Sequence, residues 1–99
     1  MASLGNHIRM LVYRDQDIWV AQGLEADISV QAGDLHTLQD RFERACELET
    51  RLRLEQYDDP FYGLSPAPRE FFELWEATEF SLEPNVSPAG CKKSIRIAA

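Results

Sequence analysis

Basic residues are scarce in this chain: ten lysines and arginines stand against seventeen acids, for a net charge of −7. Phosphate recognition needs a dense basic stripe, and ten scattered cations form none, so direct nucleic-acid binding is not expected. The same imbalance suits a basic protein partner through complementary potentials, although acidity also serves solubility alone. Cysteine is rarer still. Cys46 and Cys91 are too few for a disulfide scaffold. No apolar run is long enough to span a bilayer. The opening MASLGNHIRM lacks the apolar stretch and cleavage site of a signal peptide. A reducing cytoplasm is therefore the expected compartment, with no membrane partner. Internal repeats and low-complexity tracts are also missing.

What is present describes a folded chain. Ninety-nine residues make a single domain over 1–99, with 44% apolar residues and ten aromatics. A chain of this size buries roughly 60–70% of the surface it exposes when unfolded, so its core is modest and oligomerisation is a common complement.

Hydrophobic periodicity predicts a β-β-β-α unit over 1–56. In HIRMLVYR, Ile8, Met10 and Val12 point to one side and Leu11 and Tyr13 to the other, so this strand is expected inside the sheet. RDQD (14–17) carries hairpin chemistry. IWVAQ sets Ile18 and Val20 against Trp19 and Ala21. After GLEAD, ISVQA is apolar on one face only, as an edge strand should be. Asp34 is placed to cap a helix whose stripe is Leu35, Leu38, Phe42, Ala45 and Leu52, widened by Cys46 and Leu48, and which ends near Gln56. Residues 57–67, rich in proline and turn formers, form a linker. A second helix is expected over 68–80, with Pro68 in its first turn and Phe71, Leu74, Trp75 and Thr78 on one face. SLEPNVSPAG reads as loop, and 91–98 as a C-terminal strand.

The fold class is thus α/β in the α+β sense, ordered β-β-β-α-α-β: a three-stranded antiparallel meander plus a C-terminal strand. A right-handed crossover lays that last strand beside the first and parallel to it. The first helix covers one face, over Ile8, Met10, Val12, Ile18, Val20, Ile28 and Val30. On the other face Leu11, Tyr13 and Trp19 are expected to cluster, an apolar patch too large to leave bare. Either the second helix or a second subunit covers it. A homodimer or higher oligomer is expected, with Leu11, Tyr13, Trp19, Phe71 and Trp75 as candidate interface residues.

The run VYRDQDIWVAQGLEADISVQAGDLHTLQDRFERACELE resembles the HicB-like antitoxin family. The resemblance rests on Val12 to Arg14, the acidic turn at Asp15 and Asp17, Trp19 with Ala21, the loop Leu24 to Asp27, and the turn Gln31 to Asp34. It covers about the first half of the chain and implies a partial ribonuclease-H-like fold. It also implies an oligomer that neutralises a small basic mRNA-cleaving toxin. Family antitoxins usually append a ribbon-helix-helix or helix-turn-helix segment. This chain carries an aromatic, acidic helix and a strand there instead, as an orphan or divergent member would. A Thr or Ser cap usual in the family is replaced by Asp34–Leu35.

No catalytic, cofactor or metal site is predicted. A two-metal nuclease needs carboxylates converging from strand ends, whereas Asp15 and Asp17 lie in one turn, and Glu25 and Asp27 in the loop at the opposite end of the meander. His36 and Cys46 are ten residues apart on one helix, about 15 Å, too far to share a metal or act as a pair. His7 has no visible companion. The acids Glu25, Asp27, Glu70 and Glu73 are candidates for contact with a basic protein. The expected function is a non-catalytic protein-binding module. The alternative is an orphan oligomeric scaffold, or a protein that binds a small ligand between the sheet and the second helix.

Overall fold

A computed structural model describes residues 7–78, 81–86 and 92–98. Their elements are β1 (His7–Asp15), β2 (Ile18–Gly23), β3 (Ser29–Ala32), α1 (Leu35–Tyr57), α2 (Arg69–Ala77), β4 (Ser81–Val86) and β5 (Lys92–Ala98). The strands form one mixed sheet in the order β3-β2-β1-β5-β4. The last strand lies where expected, β5 running beside and parallel to β1 with Met10 opposite Ile95. The expected direct crossover is corrected: the chain leaves α2 into β4, antiparallel to β5, and only then enters β5. The two-sided β1 is internal, between β2 and β5.

One strand escaped the sequence. Residues 81–86, expected as loop, form β4, antiparallel to β5 at the sheet edge. Its pairing slips between Leu82 and Asn85, across Glu83 and Pro84. Proline cannot donate to a ladder and survives in sheets at edges and irregularities, so Pro84 masked the strand without preventing it. The second helix is shorter than the predicted 68–80, spanning Arg69–Ala77 with Thr78 as its C-cap, and residues 79 and 80 lie outside the described residues. So does Cys91.

The β1–β2 hairpin corrects the facing of β2. Only Gln16 and Asp17 form the loop, so Asp15 pairs with Ile18, Arg14 with Trp19 and Val12 with Ala21. Gln16 takes φ +59°, the left-handed turn that right-twisted strands need at the first loop position. A loop of even length sets the odd residues of β1 beside the even residues of β2. Trp19 and Ala21 therefore share the face of Met10 and Val12, and Ile18 and Val20 share that of Leu11 and Tyr13. A one-residue change of register exchanges the two sets completely.

The first face packs under α1. Ile8, Met10, Val12, Ala21, Ala26, Ile28, Ala32 and Ile95 meet Leu38, Phe42 and Cys46, with Trp19 and Val30 at the margin. Asp34 caps the helix as expected, accepting from the Thr37 N–H at 2.8 Å and the Thr37 hydroxyl at 2.9 Å. The second face packs under α2, where Leu11, Leu24, Ala67 and Trp75 form a smaller core flanked by Phe71, Phe72 and Ala98. The cover thus comes from the same chain. Among the described residues no helix is long and apolar enough to cross a membrane.

The predicted apolar stripe of α1 is only half used. Its 23 residues extend about 35 Å, whereas four-residue β3 extends only about 13 Å. Burial stops at Cys46, and Leu48 and Leu52 are 75% and 60% exposed.

Candidate functional site

The five candidate interface residues do not form one patch. Leu11 and Trp75 are buried inside the chain's own second core, at 0% and 5% exposure. Tyr13 and Phe71 pack beside them, with ring centroids 6.0 Å apart. Burial under this contact raises the Tyr13 phenol pKa, and the nearby Asp15 charge adds to it. Trp19 lies on the opposite face, with the Arg14 guanidinium 5.3 Å from its ring centroid.

The candidate acids fare differently from one another. Glu25 is held internally: its Oε2 accepts from Arg9 Nε at 2.6 Å and its Oε1 from the Arg9 backbone N–H at 2.7 Å. The Arg9 guanidinium in turn lies 5.2 Å and 5.6 Å from the centroids of Phe72 and Trp75. Arg96 approaches the same indole at 4.6 Å and donates to the Trp75 carbonyl at 2.6 Å. This arginine–aromatic stack locks α2 to β1 and β5. It is built for stability, because the carboxylate and the indole that define it are committed inside the chain.

Asp27 and Glu70 remain on the surface, and the fold brings their segments together. The Asp27 N–H donates to the Ser65 carbonyl at 2.8 Å, and the Ala67 N–H to the Leu24 carbonyl at 3.0 Å. The 24–27 loop is thereby docked on the stretch that enters α2, whose first turn carries Glu70. The Asp27 carboxylate also accepts from the Gln22 amide at 2.8 Å, which satisfies that buried side chain. Glu73 pairs with Arg69 at 3.5 Å along the exposed side of α2.

The acids of the β1–β2 loop and of the 24–27 loop sit at opposite ends of β2, as expected. Among the described residues no three His, Cys, Asp or Glu side chains gather as metal ligands do. His36 is exposed and Cys46 is buried.

The surface that sequence reasoning missed is the far end of α1. One flank of this end is tied down by the following turn: Arg53 Nε donates to the Tyr62 carbonyl at 2.8 Å, and the Tyr57 and Tyr62 rings stack at 4.0 Å. Phe61 and Leu64 tuck into the first core beneath. The other flank carries Ala45, Leu48 and Leu52 at helical spacing, and its two leucines are among the most exposed large apolar side chains described. The mismatch between a long helix and a short third strand was the available signal. Comparison with known proteins returns no matching family model, curated protein or solved structure.

Proposed function

We propose that this chain is a non-catalytic, HicB-like, cytoplasmic module that self-associates and binds a small basic protein. The resemblance in the first half of the chain implies an mRNA-cleaving toxin as the class of partner. The observation that carries the basic-partner reading is the charge of −7 with the Asp27 and Glu70 acids exposed on adjoining segments. The bare apolar flank of α1, Leu48 and Leu52, supports the self-association. Two neighbouring exposed leucines on one helix flank form an apolar spot of the kind protein contact covers. The β-β-β-α order with a parallel C-terminal strand beside β1 also agrees with the fold that the resemblance implies. Asp27 and Glu70, carried on adjoining segments, are the acids best placed to meet a basic partner.

The test is capture of the tagged protein from its native lysate, followed by reconstitution with the partner recovered. The expected partner is a small basic protein whose RNA cleavage this chain suppresses, with binding that weakens as salt rises. A partner without RNA-cleaving activity, or one whose cleavage continues in the complex, overturns the antitoxin-like reading. The packing of Leu11, Leu24, Ala67 and Trp75 between the sheet and α2 supports the protein-binding reading over the ligand-binding alternative.

A further inference from the structure

We infer that the projecting end of α1 is the contact surface for a second copy of this chain, the two helices packing antiparallel around Leu48 and Leu52. The inference rests on the self-association in the reading above and assigns it a place.

Charge selects the occupant. Helix α1 holds five acids (Asp40, Glu43, Glu47, Glu49 and Glu55) and four arginines (Arg41, Arg44, Arg51 and Arg53), a net charge of −1. The chain carries −7, so −6 lies outside this helix. Two copies approaching through most other surfaces repel each other, and a basic partner is drawn to those same surfaces. The near-neutral helix is where two copies meet without that cost.

The order of residues along the stripe is self-complementary. An isologous contact requires that if residue i meets j, then j meets i. With a two-fold axis near Thr50, Leu48 of one copy meets Leu52 of the other, and the reverse. Arg44 and Glu55 are eleven residues apart, so they lie nearly in line along the helix and border the same stripe. In the antiparallel pair each Arg44 comes beside the other copy's Glu55, and two opposite-charge contacts flank the paired leucines. Arg51 approaches its own symmetry mate, and Glu47, 4.0 Å away on the preceding turn, offsets that repulsion.

Two competing surfaces are partly or wholly occupied from within the chain. The outer edge of β3 could have paired with another strand, but Arg41 donates to the Gln31 carbonyl there at 2.7 Å. The aromatic face beneath α2 is filled from within the chain. A contact of about two helical turns falls short of the roughly 800 Å² per partner typical of a stable complex, so a weak, concentration-dependent dimer is expected.

Sedimentation across the micromolar range tests this on the full chain. The wild type is expected to pass from monomer to dimer, and L48E/L52E to stay monomeric with unchanged helicity, since both leucines face water. R44E and E55R should each weaken the dimer about fivefold, and R44E/E55R should return it to within about twofold of wild type. A wild type that is monomeric throughout, a dimer that survives L48E/L52E, or a double swap that fails to rescue would each overturn the inference. The readouts also separate it from the partner reading. A wild type that stays monomeric yet captures the basic partner removes only this inference, whereas a dimer lost in L48E/L52E without any basic partner being captured removes only the antitoxin-like reading.

Discussion

Arg9 and Glu25 are joined twice, once through the guanidinium at 2.6 Å and once through the Arg9 backbone N–H at 2.7 Å. One carboxylate thus closes the loop after β2 onto β1 and aims a cation at the α2 aromatics. Replacing Glu25 with Ala strands a half-buried charge and a backbone donor. The expected loss is about 1–3 kcal/mol of unfolding free energy. The conservative Glu25→Gln keeps an acceptor and should cost less than half as much. Urea unfolding of E25A and E25Q checks both.

Trp75 bears the largest share of the second core. Trp75→Ala should cost about 3–5 kcal/mol and uncover Leu11, which is otherwise fully buried. Trp75→Phe keeps most of the apolar contact but weakens the stacking of Arg9 and Arg96, so it should fall well short of that loss. Thermal unfolding together with binding of a hydrophobic dye distinguishes the two variants.

Gly23 ends β2 where no side chain fits. A Cβ there would lie 2.8 Å from the Ala26 carbonyl oxygen, 2.9 Å from Ile8 Cδ1 and 3.3 Å from Phe42 Cζ. The nearest obstacle is backbone, which cannot step aside cheaply. Gly23→Ala should destabilise by about 1–3 kcal/mol, as read from the denaturant midpoint at constant m-value.

The Asp34 cap links helix stability to acid. The Thr37 N–H, then the Thr37 hydroxyl, hold its carboxyl below the ordinary value of 3.8. A depressed folded pKa means that the contribution is fully present above the unfolded value and is lost as pH falls through the folded one. Asp34→Ala should therefore lower the melting temperature at neutral pH. The gap from wild type should narrow once the pH drops below the usual carboxylate range. Equal gaps at neutral and strongly acidic pH would remove the cap from this account.

Patterning made much of the molecule legible before any coordinates. Two apolar faces on β1 can be satisfied only inside a sheet, so a neighbour on its second side was legible, whereas the route to it through β4 was not. The Asp34 cap was legible because capping is a local hydrogen bond between residues three apart. The site was much less so. The candidate interface residues were chosen on the premise that Trp19 shares a face with Leu11 and Tyr13, and the two-residue hairpin loop reverses that premise. Pro84 concealed an edge strand whose ladder tolerates an irregularity.

The sequence by itself determined the class, the order of the first elements, the internal place of β1 and the start of α1. Those follow from periods of two and 3.6 and from contacts within a few residues. Only the tertiary structure decided which residues of β2 meet which core, whether the second face was covered from within, and how far the sheet reaches beneath α1. Each depends on a length or register set between segments distant in the chain. An apolar stripe gives the same signal whether a sheet lies under it, as at Phe42, or water does, as at Leu48.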